Sequence, residues 1–133
     1  MPELKAFYQP RTVSEAVALL EEHGDRARPL AGGSSLTLTR PARLEVLVDL
    51  GLVGLDRIDE AAGGLHLGAM VTCRRLRSFL EARPPTVLGE AVATIGSCVL
   101  QNQVTVGGNC AGLFAWSDLP VALWCLEARF VIK

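Results

Sequence analysis

The sequence is organised around the stretch Thr105-Val106-Gly107-Gly108-Asn109, together with the earlier stretch Ala31-Gly32-Gly33-Ser34-Ser35-Leu36. Each stretch holds a glycine pair flanked by small hydroxyl or amide side chains, and each lies between apolar runs. Because glycine has no Cβ, the backbone N–H groups of such a turn can approach an anionic ligand closely. Two turns of this kind predict a binding site for a diphosphate.

Length and composition indicate a folded chain of one domain or a compact pair of subdomains. Half of its 133 residues are apolar, which is enough to build a core. The formal charge is only -1, and no basic run or patch of mixed basic and aromatic residues occurs, so we expect no nucleic-acid partner. The N-terminus lacks the apolar segment of a signal peptide and no apolar run is long enough for a membrane span, so we expect a cytoplasmic protein.

The cysteines leave a metal hypothesis open but do not favour it. They stand far apart, without the C-x-x-C pair that usually supplies two ligands from one turn, at Cys73, Cys98, Cys110 and Cys125. Buried free thiols are the preferred interpretation. Cys110, beside Asn109, is the one side chain near the predicted diphosphate site whose type allows reactivity, and a buried core thiol is the preferred interpretation for it as well.

The first part of the chain predicts a capped helix among short strands. Thr12 and Glu15 have the spacing of a capping box, in which each side chain accepts a hydrogen bond from the other residue's N–H group. Gly24 predicts the end of this helix, with His23 as a solvated residue in its last turn. Residues 28–31 and 46–50 predict strands, whereas residues 36–39 leave helix and strand both open.

The second part predicts helices interrupted by loops. Residues 64–69 alternate as a half-exposed strand does, and Thr72 can cap a helix that runs to about Leu80. The arginines at 74, 75 and 77 favour a solvated helix face over a phosphate site. A further helix is predicted from Val87 to Gly96, and residues 100–106 are predicted to form a loop. Ser117 is expected to cap the last helix, and residues 128–132 to form a strand that pairs elsewhere, with self-association as one outcome.

These elements predict an α+β fold with two small subdomains, because helices and strands do not alternate as regular βαβ units. Glycines and charged residues are frequent between residues 51 and 64, so we place the boundary there. The expected subdomains are residues 1–55 and 56–133. The two glycine pairs then belong to different subdomains and face one cleft.

Four motifs in this order carry a family resemblance: A-G-G-S-S-L at 31–36, L-H-L-G-A at 65–69, T-V-G-G-N at 105–109 and S-D-L-P at 117–120. An apolar helix follows the last of them. The order and spacing resemble the FAD-binding subunit of molybdenum hydroxylases, the family of carbon monoxide dehydrogenase and xanthine dehydrogenase. The similarity runs from Phe7 to Ile132 and is therefore far more specific than either glycine pair alone.

The resemblance implies a fold of the p-cresol methylhydroxylase type, with FAD between two subdomains. It implies cofactor contacts along both loops and at two further positions: Ala31, Gly32, Gly33, Ser34, Ser35, Leu36, Ile95, Thr105, Gly107, Gly108, Asn109 and Asp118. It also implies an electron-transfer role, in which a molybdopterin-containing large subunit and an iron–sulfur small subunit are partners and an external molecule accepts the electrons. No side chain is a candidate acid or base, because the redox chemistry belongs to the flavin.

The sequence also departs from the family pattern. Gln101 replaces an arginine before the second loop, and Ala115 replaces a proline, with the bulky Trp116 beside it. Subunits of this family are considerably longer, so we expect the second subdomain to be incomplete at its C-terminus. The alternative function is therefore a truncated, non-catalytic relative that acts as an interaction module without flavin.

Overall fold

The computed structural model describes residues 3–39 and 41–132. Some residues used in the sequence predictions lie outside the described residues. They are Met1 and Pro2, at the N-terminus considered for a signal peptide, and Lys133, at the end of the second predicted subdomain. The strands are β1 (Ala6–Tyr8), β2 (Ala27–Leu30), β3 (Val46–Asp49), β4 (Ile58–Ala61) and β5 (Gly64–Leu67). The helices are α1 (Val13–His23), α2 (Ser34–Thr39), α3 (Cys73–Glu81), α4 (Val87–Thr94), α5 (Cys98–Gln101), α6 (Val106–Ala111) and α7 (Asp118–Cys125), with a short 3-10 helix at Gly24–Arg26.

A three-stranded parallel sheet forms the first part of the structure. Its order is β1-β3-β2, so the valine-rich β3 is central and pairs with a neighbour on each side. α1 packs on this sheet and contributes Ala16 to a small core, which we call the N-terminal core: Ala16, Ala27, Val46, Val48 and Val53. Because β3 lies between two strands, its buried apolar residues are typical of a central parallel strand.

Helices α3, α4, α6 and α7 contribute residues to a second and larger core. The antiparallel hairpin of β4 and β5 borders it, and α4 packs against both α3 and α7. The residues of this C-terminal core are Val71, Cys73, Leu76, Leu80, Leu88, Ala91, Val92, Val106, Leu119, Ala122 and Leu123. The mixture of one parallel sheet, one hairpin and packed helices confirms the α+β prediction.

Glycines allow the two parts to approach at the level of the backbone. A Cβ placed on Gly32 would lie 1.5 Å from the carbonyl oxygen of Gln103, and one on Gly68 would lie 2.1 Å from that of Leu55. The N–H group of Met70 also donates to the Leu55 carbonyl at 2.8 Å. A side chain larger than hydrogen has no room at either glycine. The approach at Gly32 places the first glycine loop against residue 103, and the approach at Gly68 places residue 68 against residue 55.

The predicted helix ends are largely confirmed. The Thr12 hydroxyl accepts from the Glu15 N–H at 3.1 Å, the Thr72 hydroxyl accepts from the Arg75 N–H at 3.2 Å, and Gly24 ends α1 at φ 52°. The capping box differs in one bond, because the Glu15 carboxylate accepts from the N–H of Arg11 at 2.9 Å and not from that of Thr12.

Two predicted surface or cap roles are wrong. His23 is half-buried and stacks on Tyr8 with ring centroids 5.6 Å apart, because the end of α1 lies beside β1. The Ser117 side chain does not cap α7, since its hydroxyl donates to the Asn109 side chain at 2.6 Å. In contrast, Arg77 pairs with Glu81 at 2.7 Å on the outer face of α3, as a solvated helix face predicts.

Several loop and strand predictions also differ from the structure. Residues 36–39, for which the sequence left helix and strand both open, belong to the helix α2. The predicted boundary region, residues 51–64, contains the strand β4. The loop at 100–106 is shortened by α5 and α6. Residues 128–132 form no strand in the structure, because none of the described strands lies alongside them, and strands need a hydrogen-bonded neighbour. We expected self-association through that strand, but the described residues 128–132 contain no strand.

Gln101 is buried in α5 with an incompletely bonded side chain. It is 1% exposed, its Oε1 has no hydrogen-bond partner, and its Nε2 lies 3.5 Å from the Val92 carbonyl. An unsatisfied buried acceptor costs about 1–3 kcal/mol. We expect Gln101→Met to raise the free energy of unfolding by about 1 kcal/mol in urea denaturation.

The matched control for this prediction is Gln103→Met. Gln103 is exposed, so the same chemical change there should alter the free energy of unfolding by less than about 0.5 kcal/mol. A lower free energy of unfolding in Gln101→Met would contradict the prediction, because it would show that the buried amide stabilises the protein on balance.

Candidate functional site

A cleft of about 880 Å³ is lined by residues of both the N-terminal and the C-terminal part. Its size falls within the usual range of small-molecule sites. All of the residues that the resemblance assigns to the cofactor line it: Ala31, Gly32, Gly33, Ser34, Ser35, Leu36, Ile95, Thr105, Gly107, Gly108, Asn109 and Asp118. Residues far apart in sequence thus surround a single cavity.

The first glycine loop leads directly into α2. Gly33 has φ 75°, a conformation that glycine adopts without strain, and α2 begins at the next residue. The backbone N–H groups of residues 32–36 have no hydrogen-bond acceptor among the described residues. This loop therefore offers a set of free donors to the cleft, at the positive end of a short helix.

The second glycine loop differs from the first, because its backbone donors are already used. The N–H groups of Val106 and Gly107 donate to the carbonyls of Val71 and Ala69, each at 2.8 Å. Those of Gly108 and Asn109 donate to the Thr105 hydroxyl at 3.1 Å and to the Thr105 carbonyl at 2.9 Å. The sequence predicted free N–H groups at both loops, whereas the second glycine pair lies inside the first turn of α6.

Gly107 is also needed for packing between segments of the protein. A Cβ at this position would lie 2.6 Å from the Ala69 side chain and 2.8 Å from its carbonyl oxygen. The second loop can therefore lie close to residue 69 only with glycine at 107, and its exposed backbone at Gly108 faces the cleft.

Polar side chains tie α4, α6 and α7 together beside the cleft. The buried Asn109 accepts from the Ser117 hydroxyl at 2.6 Å, which joins α6 to the start of α7. The Asp118 carboxylate accepts from the Thr94 hydroxyl at 3.2 Å, next to the end of α4, where Ile95 lines the cleft. The Thr94 hydroxyl also lies 2.8 Å from the Ala91 carbonyl, so its one proton is shared between that acceptor and the exposed Asp118 carboxylate at the cleft wall.

The cleft carries little side-chain charge. Among the described residues that line it, Arg28 is the cation and Asp118 is the anion. The Arg28 guanidinium donates to the carbonyls of Ala27 at 2.6 Å and Asp25 at 3.1 Å, so it is hydrogen-bonded to the backbone of its own segment. An anion in this cleft would therefore rely on backbone donors, which the glycine pairs predicted from the sequence.

Several lining residues were not identified from the sequence. Gly96, Gly112 and Phe114 line the cleft, as do Met70 and Trp116. Trp116 entered the sequence analysis only as a bulky residue beside Ala115, and this departure, two residues before Asp118, is the signal that could have indicated it. Gln101 and Ala115, the departures from the family pattern, are not among the described lining residues.

The cysteines do not form a metal site in the described part of the chain. No group of three or more His, Cys, Asp or Glu side chains is placed to hold a metal ion among residues 3–39 and 41–132. Burial, together with the neighbouring Cys110, raises the pKa of the Cys73 thiol to about 11, and burial also raises the pKa of Cys110. Protonated thiols of this kind are poor metal ligands and poor nucleophiles.

The raised pKa of Cys73 predicts a loss of stability in alkali. Between pH 9.0 and about 11 the native thiol keeps its proton while the unfolded thiol loses it, so the free energy of unfolding falls as the pH rises through this range. Urea denaturation at a series of pH values measures this slope. The slope should be smaller in Cys73→Ala, and an unchanged slope would assign it to other groups.

The geometry described above is that of a domain that binds a nucleotide cofactor: a mostly apolar cleft with one edge of free backbone donors. The family comparison identifies the cofactor. Residues 3–133 match the family model described as the FAD binding domain in molybdopterin dehydrogenase. The chain belongs to this family, and its domain is an FAD-binding domain.

Relatives agree with this assignment. The chain is 38% identical to the carbon monoxide dehydrogenase medium chain of Afipia carboxidovorans over 93% of its length, and 34% identical to that of Hydrogenophaga pseudoflava over its full length. It covers 45% and 48% of these proteins. A crystal structure of Cu,Mo-CO dehydrogenase matches with a TM-score of 0.84 and 37% identity, over 95% of this chain and 46% of the other.

Two further findings concern the length of the chain and the character of its helices. The chain spans about half the length of the curated relatives it matches. Within the part of the chain that the structure describes, no helix has both the length and the apolar character needed to cross a membrane.

Proposed function

We propose that this chain holds FAD in the cleft with the diphosphate at the first glycine loop. The observation that carries the proposal is the row of N–H groups at residues 32–36, which have no acceptor among the described residues and belong to residues that line the cleft. Hydrogen bonds from such donors to a charged oxygen contribute roughly 1.5–3 kcal/mol each, so several of them can replace a lysine. The free donors and the cleft volume both fit the group.

The second loop has a different role in this proposal. Its N–H groups are engaged within the protein, so Gly108 would contribute a bare backbone surface against which the cofactor lies. Thr105 and Asn109 would act by holding that surface in place, since Thr105 caps α6 and Asn109 binds Ser117. Asp118 and Ile95 would contact the cofactor from the opposite wall.

We also infer two subdomains, residues 1–55 and 56–133, with the cofactor between them. The separation of the two cores supports this division, because Leu55 packs against the N-terminal core and Ile58 packs against the C-terminal core. Lining residues from both sides of this boundary agree with a ligand that lies across it.

FAD supplies redox chemistry when bound, and the protein positions and shields it. We propose that the chain is the FAD-carrying electron-transfer component of a molybdenum-containing hydroxylase or dehydrogenase. It would act between the iron–sulfur clusters of a small partner subunit and an external acceptor, with a molybdopterin-containing large subunit as the second partner. The medium chains among its relatives support this role. A cytoplasmic location remains an expectation from the sequence.

The test is a visible absorption spectrum of the purified chain before and after incubation with FAD and desalting. We expect a flavin band that survives desalting, with FAD and protein in equal amounts. A colourless protein after the same treatment would contradict the proposal for this chain and favour the interaction module without flavin.

A further inference from the structure

We propose that Phe114 and Trp116 form a stacking platform for a planar ring of the bound dinucleotide. The inference rests on the proposed FAD site, which it extends by naming the residues that hold one of the two rings. Both side chains line the cleft. Neither side chain was assigned to the cofactor from the sequence.

The two aromatic rings form one continuous surface. Their centroids are 5.1 Å apart with an angle of 22° between the ring planes, which is the geometry of an offset stack. Trp116 is 80% exposed, whereas Phe114 is half-buried beneath it. The outer ring of the pair therefore has a large apolar surface that no described part of the chain covers.

The backbone around the pair is arranged to hold it at the cleft. A Cβ on Gly112 would lie 2.3 Å from the Phe114 ring, so this ring can lie over residue 112 only because residue 112 is glycine. Leu113 adopts φ 47°, a left-handed conformation that is unfavourable for leucine because its Cβ crowds the following carbonyl oxygen. The Leu113 side chain is 83% exposed, so its own packing does not offset this cost. We therefore attribute the conformation of the loop to the positions that it gives to the neighbouring residues.

Hydrogen bonds fix this loop at both ends. The Leu113 N–H donates to the Cys110 carbonyl at 3.3 Å, and the Ser117 N–H donates to the Phe114 carbonyl at 3.0 Å. The Ser117 hydroxyl then binds the Asn109 side chain. The aromatic pair is thus tied to α6, the same helix whose first turn carries the second glycine pair.

The chemistry of the pair matches part of FAD that the loops do not recognise. Backbone donors bind the diphosphate, but the isoalloxazine and adenine rings need an apolar face, and stacking on an aromatic side chain contributes enough to change affinity by about tenfold to a hundredfold. The isoalloxazine ring and the adenine ring both present an apolar face, and the experiment below distinguishes between these two rings of FAD.

The chain provides a matched control for the test. Its tryptophans are Trp116 and Trp124, and Trp124 is exposed to the same degree, at 81%, but is not among the described residues that line the cleft. Truncation of either side chain removes a similar exposed apolar surface. Only truncation at 116 should affect the ligand.

The experiment measures the affinities of FAD, FMN and ADP for the full 133-residue chain by equilibrium dialysis. We expect Trp116→Ala and Phe114→Ala to weaken FAD binding at least about tenfold, Trp116→Phe to retain most of the affinity, and Trp124→Ala to equal the parent. A parallel loss for FMN but not ADP would assign the isoalloxazine ring to the platform, and the reverse would assign adenine. Thermal denaturation of each variant without ligand checks that it is folded.

The outcomes separate this inference from the proposed function. Tight FAD binding by the parent, with Trp116→Ala and Phe114→Ala within about twofold of Trp124→Ala, would overturn the platform and leave the FAD site intact. Absence of FAD binding to the folded parent would overturn both. Folded variants at 116 that lose FAD while Trp124→Ala keeps it would establish the platform.

Discussion

Gly32→Ala is expected to destabilise this chain by more than about 3 kcal/mol. The added Cβ would lie 1.5 Å from the carbonyl oxygen of Gln103 and 2.4 Å from its carbonyl carbon. Both are backbone atoms, so no side-chain rotation relieves the overlap, and the first glycine loop must move away from residue 103. Overpacking in rigid surroundings costs about 1–3 kcal/mol and more in severe cases. We expect a loss above about 3 kcal/mol in urea denaturation, which is a large fraction of the stability of a domain of this size.

Gly64→Ala is the matched control for this prediction. Gly64 lies in β5 with nothing within 4 Å of an added Cβ, so the same substitution should change the free energy of unfolding by no more than about 1 kcal/mol. If Gly32→Ala were as stable as Gly64→Ala, the close approach between the first loop and residue 103 would be incorrect. The proposed position of the diphosphate would then have to be reconsidered as well.

Ser35→Asp is expected to remove FAD binding while the protein stays folded. Ser35 is in the first turn of α2, where a carboxylate stabilises the helix by about 0.3–1 kcal/mol. The same carboxylate would repel a diphosphate at the N–H groups of residues 32–36 by about 4 kcal/mol at a separation of 4 Å. Solvent screening reduces this repulsion, so we expect a loss of affinity on the order of a hundredfold to a thousandfold.

The control here is Ser35→Asn, which keeps a polar side chain of similar size to aspartate without its charge. It should bind FAD within about tenfold of the parent, as measured by dialysis, and thermal denaturation should show both variants folded. Retention of FAD by Ser35→Asp at the parent's affinity would contradict the assignment of the diphosphate to the first loop.

Local features of the structure were largely predictable from the sequence. The caps at Thr12 and Thr72, the end of α1 at Gly24 and the central strand at 46–50 depend on neighbouring residues, and these predictions are confirmed within a residue or two. β4 was missed because it is short and carries Asp59 and Glu60 on an exposed hairpin, where tertiary pairing outweighs low strand propensity.

The two glycine loops show what the sequence could not decide. Their residue types are alike, so the sequence predicted free donors at both. Only the first loop keeps its donors free, because the carbonyls of Ala69 and Val71 come from a distant part of the chain and bind the N–H groups of the second loop. Similarly, Gly32 was interpreted as a turn residue for a ligand, whereas its missing Cβ is required by the backbone of Gln103.

The caps at Thr12 and Thr72 and the family of this FAD-binding domain could be predicted from the residues alone, since they depend on local chemistry and on the order of motifs. The folded structure was needed to show which backbone donors at the cleft remain free, that the Thr94 hydroxyl reaches Asp118, and that Phe114 and Trp116 line the cleft. The physical reason is that each of these depends on a partner or a surface from another segment, and sequence spacing does not specify where such segments meet.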